Sequence, residues 1–88
     1  MRIACSCASC QKPAVFKIAA PWHVEESVEL KTYGFACVDH LRPVFRSAEA
    51  RWMAYEPNQE EQLLELGVYR RFQGKLQRDQ ALEANIKN

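Results

Sequence analysis

The chain has 88 residues, 48% of them hydrophobic and 26% charged, with 12 Lys+Arg against 11 Asp+Glu and a formal charge of +1. Such a length supports one small domain, or a metal-stapled module with an appendage, because chains this short bury little core. The near-neutral balance argues against a strong, spread-out electrostatic footprint for nucleic acid, and no apolar run approaches the roughly 18 residues needed to span a bilayer.

In chain order, the first chemistry is a cluster of thiols at Cys5, Cys7 and Cys10. No basic n-region or apolar h-region precedes them, so the expected location is cytoplasmic, where thiols serve as metal ligands or reactive groups more than as disulfides. Residues 14–19 alternate as a strand, with Ala14, Phe16 and Ile18 on one face and Val15, Lys17 and Ala19 on the other. Residues 28–36 form a second strand, on which Tyr33, Phe35 and Cys37 are expected to share a face. Between them, residues 20–27 carry Pro21, Glu25 and Glu26 and suit a hairpin connection longer than a tight turn.

From Asp39 the period changes. Leu41, Phe45, Ala48, Trp52 and Tyr55 are spaced 4, 3, 4 and 3, which predicts one apolar stripe on a helix, with Pro43 tolerated in its first turn. Glu56-Pro57-Asn58 ends that helix, because the residue before a proline is pushed out of the α region. Asn58 with Glu61 resembles a capping box and opens a second helical pattern, in which Leu64, Val68, Phe72 and Leu76 recur every fourth residue. The expected organisation is a zinc-binding β-hairpin plus helix over residues 1–55 and a C-terminal helical extension over 56–88.

The strongest chemical signal is Cys7-x-x-Cys10 followed, after 26 residues, by Cys37-x-x-His40. Two residues between paired ligands let a tight turn aim both at one point, and two thiolates plus a thiolate and an imidazole make a tetrahedral zinc set. Four protein ligands leave no position for water, so the site is structural. Cys5 is a surplus thiol that either replaces Cys7 or stays free; the repeated x-x spacing selects Cys7. An iron–sulfur reading rests on Cys5-x-Cys7 with Cys37 and His40, a three-cysteine, one-histidine set like that of CDGSH-type cluster proteins, whose ligands however lie in one short run.

The residues Cys7-Ala8-Ser9-Cys10-Gln11-Lys12-Pro13-Ala14, the strand pair, and Phe35-Ala36-Cys37-Val38-Asp39-His40-Leu41 resemble treble-clef and zinc-ribbon fingers of small bacterial proteins. The resemblance is architectural, covers roughly residues 5–55, and implies zinc on Cys7, Cys10, Cys37 and His40 at the front of an adaptor or regulatory protein. The fold class expected is α+β, a small zinc-stapled, treble-clef-like β-hairpin followed by two α-helices.

Other constellations carry less. His23, beside Trp22, lacks an adjacent nucleophile or acid, and no phosphate-cradling glycine loop or paired-carboxylate arrangement is present, so no catalytic residue is assigned. Arg42, Arg46 and Arg51, with Arg70, Arg71, Lys75 and Arg78, give a basic tendency without aromatic interleaving, which leaves a nucleic-acid-binding zinc module as the alternative function. Trp52, Tyr55, Tyr69 and Phe72 are a large aromatic payload for so small a body, and point to a protein partner or homo-oligomer through the helical half, with no membrane. The expected function is a non-enzymatic adaptor, regulator or small subunit.

Overall fold

The computed structural model describes residues 3–7 and 10–87, so Ala8 and Ser9 of the expected knuckle lie outside the described residues. Its order is β1 (Phe16–Val24), β2 (Ser27–Ala36), a 3-10 turn (Val38–His40), α1 (Leu41–Ala54), β3 (Glu61–Leu63), β4 (Gly67–Phe72), β5 (Lys75–Arg78) and α2 (Gln80–Lys87). The antiparallel sheet runs β2-β1-β4-β5, and β3 also pairs with β1, so β3 and β4 follow one another along the same edge of β1.

The first hairpin is longer than its sequence suggested. β1 runs on to Val24 and β2 begins at Ser27, leaving Glu25-Glu26 as a two-residue turn with Glu25 at φ 56. Pro21, Trp22 and His23 therefore lie in a strand and not in a loop. A proline is admissible there because the Pro21 carbonyl, and with it the missing donor, points toward residues 64–66, between the stretches paired as β3 and β4. The carbonyl accepts the Leu64 N–H at 2.8 Å.

The register slips between Ile18 and Ala19, opposite Tyr33. This bulge keeps Gly34 and Tyr33 both on the α1 side, while Phe35 turns to the other face. The expected shared face of Tyr33 and Phe35 is thus broken. Gly34 is needed where it stands, since a Cβ there would press on Val44 Cγ1 at 3.3 Å.

α1 follows the predicted stripe closely. Leu41, Val44, Phe45 and Ala48 are buried against Ile18, Ala36, Leu66 and Val68 in one core. The helix ends at Ala54, and Tyr55 is already extended, two residues before Pro57.

Residues 56–88 depart from expectation, because the proposed helical extension holds three strands and is helical only at Gln80–Lys87. Asn58 Oδ1 accepts the Glu60 N–H at 2.9 Å and its carbonyl accepts the Glu61 N–H at 3.2 Å, so the apparent cap is a turn that feeds β3. A recurrence of four residues suits a period of 2 as well as one of 3.6, which is why Leu64, Val68 and Leu76 read as helical. Gln73 at φ 52 and Gly74 at φ 80 form the two-residue turn of the β4–β5 hairpin. The side chain of Phe72, expected on the same stripe, lies outside what the structure describes.

α2 is short and tied down by a buried acid. Asp79 Oδ1 accepts the Leu82 N–H at 3.0 Å and caps the helix. Glu83, 5% exposed, takes Arg78 through both oxygens at 2.8 and 2.9 Å and also accepts the Val68 N–H at 2.9 Å. Gly67 makes room for this knot, since a Cβ there would lie 2.6 Å from Arg78 Nε and 2.8 Å from Glu83 Oε2.

Among the described residues, no helix is long and apolar enough to cross a membrane.

Candidate metal centre

The N-terminal segment doubles back on itself before β1. Ala4 bridges Pro13, the Cys5 N–H donates to the Lys12 carbonyl at 3.1 Å, and the Ala14 N–H donates to the Ile3 carbonyl at 2.8 Å. The Cys10 N–H closes the turn on the Cys7 carbonyl at 3.1 Å. This small loop is fastened to the end of β2, where the Ser6 N–H donates to the Phe35 carbonyl at 2.8 Å and the Phe35 N–H donates to Ser6 Oγ at 2.9 Å. β2 then delivers Cys37, and the 3-10 turn, closed by the His40 N–H on the Cys37 carbonyl at 3.3 Å, delivers His40 at the start of α1.

The result is a group of Cys5, Cys10, Cys37 and His40, whose ligand atoms all lie within 4.8 Å of one another. Cys10 Sγ and Cys37 Sγ are 3.8 Å apart, and Cys37 Sγ is 3.2 Å from His40 Nδ1. A tetrahedral zinc with Zn–S of about 2.3 Å and Zn–N of about 2.05 Å has ligand edges of about 3.8 Å between sulfurs and about 3.5 Å between sulfur and nitrogen. The first separation matches its edge and the second is slightly compressed. The donor set and its spacing fit the ion.

Three of the expected ligands, Cys10, Cys37 and His40, come together as read from the sequence, and Cys5 joins them. The Cys7 thiol stands outside that group, half-buried, beside a cavity that it lines with Ser6, Tyr33 and Arg51. The physical reason is the extended run of residues 3–6, which turns Ser6 toward β2 and Cys5 toward Cys37 and His40. What marks Cys5 is the hairpin pairing of its own backbone with Lys12, a contact that ligand spacing does not encode.

The backbone favours the thiolate form of Cys5. Burial pushes the Cys5 thiol up, but the backbone N–H groups of Cys37 and Cys7 and the thiols of Cys37 and Cys10 outweigh it and hold it down to about 7. Cys10 goes the other way. The Lys12 N–H lowers it, yet burial together with the Cys37 and Cys5 sulfurs leaves it above the ordinary thiol range. Outside the sulfurs, Lys12 pairs with Asp39, joining the N-terminal loop to the residue between Cys37 and His40. That pair holds Asp39 below its usual range and Lys12 above its own.

Elsewhere, the residues singled out in the sequence are absorbed into structure. His23 stands in β1 between Val28 and Gln62, without a catalytic neighbour in either pairing. Trp22 Nε1 and Tyr55 Oη both donate to Glu61 Oε2, at 3.4 and 2.6 Å, and Lys31 Nζ sits 5.1 Å and 4.2 Å from the two ring centres. Trp52 Nε1 donates to the Leu64 carbonyl at 2.9 Å, and Tyr69 is buried. Among the basic residues, Arg42 donates to the Asn85 carbonyl, Arg51 to the Tyr33 and Ser47 carbonyls, Arg70 pairs with Asp79 at 3.3 Å, and Arg78 is held by Glu83.

The sequence matches no family model and no curated protein, and no solved structure matches the chain.

Proposed function

We propose that this protein is a non-catalytic binding module, of treble-clef type, in which one zinc ion held by Cys5, Cys10, Cys37 and His40 fixes the N-terminal loop to the start of α1. The carrying observation is the convergence of three thiols and an imidazole within 4.8 Å. Four such ligands complete a tetrahedron and leave no open position for a reacting water, so the ion's role is structural. In a body this small, roughly 10 to 16 kcal/mol of apparent metal affinity rivals the stability of an ordinary domain, and the metal decides whether the front half folds. Free thiols in such a site suit a reducing compartment, hence a cytoplasmic protein. The stapled sheet then serves as an adaptor or small subunit that offers a surface to a larger partner. The aromatic surplus that suggested docking through the C-terminal half is largely used inside the molecule, by Trp52, Tyr55 and Tyr69.

Elemental analysis with native mass spectrometry tests the reading. One zinc per chain is expected, retained in Cys7→Ser and lost in Cys5→Ser, Cys10→Ser and Cys37→Ser. Retention in Cys5→Ser with loss in Cys7→Ser would transfer the fourth position to Cys7. A metal-free protein with an unchanged cooperative melt would end the proposal, and brown colour with visible absorption would replace zinc by an iron–sulfur cluster.

A further inference from the structure

The sheet face turned away from α1 combines features that are scattered in the sequence. Register places Lys17 between Phe35 on β2 and Tyr69 on β4, and places Arg71 opposite Leu76 on β5. Side chains alternate along a strand, so Val15, Lys17, Phe35, Tyr69, Arg71 and Leu76 share this face, whereas Ile18, Ala36 and Val68 point to the core. A groove of ≈ 540 Å³ runs over it, walled by Ile3 and Ala14 from the N-terminal loop, with Arg70 also at its edge. Val15 is 48% exposed, Ile3 50% and Leu76 42%, an apolar floor left to solvent. No acidic residue lines it, and among the described residues neither Lys17 nor Arg71 forms a salt bridge.

We propose that this face binds single-stranded nucleic acid. The aromatic interleaving absent along the chain is created by the pairing of strands: a half-buried phenylalanine side chain stands across from the Lys17 ammonium and lines one groove with the Arg71 guanidinium and apolar side chains. Unpaired bases stack on such a ring while the phosphates between them meet Lys17 and Arg71. A duplex would present only its phosphates and leave the floor unmatched. An acidic peptide would satisfy the cations and not the ring. The proposal goes beyond the metal reading and rests on it only for the groove wall at Ile3 and Ala14.

The test is fluorescence anisotropy with a labelled ten-nucleotide oligothymidylate and the zinc-loaded full chain. Two cationic contacts predict a log–log salt slope of about −1.4, a loss of about 7-fold in affinity between 50 and 200 mM salt. Arg71→Ala, at an exposed position, and Lys17→Ala, at a half-buried one, should each weaken binding severalfold and flatten the slope by about 0.7. Phe35→Leu, which keeps an apolar side chain, should cost about tenfold with the slope unchanged, and Arg46→Ala on α1 should change nothing. Absence of binding at 50 mM salt overturns the proposal. So does equal affinity for a duplex of the same length, indifference to Arg71→Ala and Lys17→Ala, or capture by phosphatidylserine vesicles without capture by the oligonucleotide. Oligonucleotide binding with this dependence by protein that carries no metal would sink the zinc reading and leave this one standing.

Discussion

Gly67 is the position at which one methyl group should do most damage. Its φ is not in the left-handed region, so alanine meets no backbone strain there, and on chain entropy alone Gly→Ala would stabilise by about 0.4 to 1 kcal/mol. Against that gain stands the added Cβ, 2.6 Å from Arg78 Nε and 2.8 Å from Glu83 Oε2. Both atoms end flexible side chains, yet neither is free to swing, since Glu83 holds Arg78 through two bonds and the Val68 N–H through a third. Displacing the pair leaves a buried carboxylate poorly matched, which costs about 3 kcal/mol at the lower end for broken buried pairs, appropriate because Arg78 is partly exposed. The net expectation for Gly67→Ala is a loss of about 2 kcal/mol, or about 8 to 16 °C in thermal midpoint for a domain of this size. Urea and thermal unfolding followed by circular dichroism measure it. In a Glu83→Ala background the same substitution should be neutral or slightly stabilising, because Arg78 is then free to swing aside. Equal losses in the two backgrounds, or a wild-type-like Gly67→Ala protein, would refute the reasoning.

Three further outcomes are expected. Gly74→Ala should destabilise by about 1 kcal/mol through its φ of 80, although nothing lies near its added Cβ, while Glu25→Gly at φ 56 should gain a similar amount; urea midpoints decide both. Trp52→Phe removes the donor to the Leu64 carbonyl and should cost about 1 kcal/mol, whereas no change would mean that the carbonyl finds water. Asp39→Asn tests the clasp outside the metal centre. Asp39 is held below its ordinary value of 3.8, so its contribution is complete above that value and fades as the pH falls through the lowered one; Lys12 is held above 10.5, so its contribution is complete below 10.5 and is lost as the pH rises beyond. The wild-type advantage in thermal midpoint should therefore be small, flat across neutral pH, weakened by salt, and gone in strong acid. An advantage that varied around neutrality would contradict the assignment.

What the sequence determined by itself is local. The stripe Leu41, Phe45, Ala48, Trp52 and Tyr55 predicts α1, Glu56-Pro57 predicts its end, and Cys37-x-x-His40 puts two candidate ligands on one turn, because each of these depends on residues a few positions apart. The repeated x-x spacing selects Cys7 over Cys5, whereas the pairing of Cys5 with Lys12 across the N-terminal hairpin places Cys5 in the group and leaves Cys7 outside it. The pattern over residues 61–78 predicts helix, and the structure forms three strands there. A recurrence of every fourth residue satisfies helix and strand alike, and the edge of β1 left vacant by β2 decides for strand by offering Phe16–Ala19 as a partner to β4. The bulge at Ile18/Ala19 and the neighbourhood of Lys17, Phe35 and Tyr69 belong wholly to tertiary structure. Side chains some 18 and 52 residues apart meet only because hydrogen-bonded strands bring them into register, and register is a property of the assembled sheet.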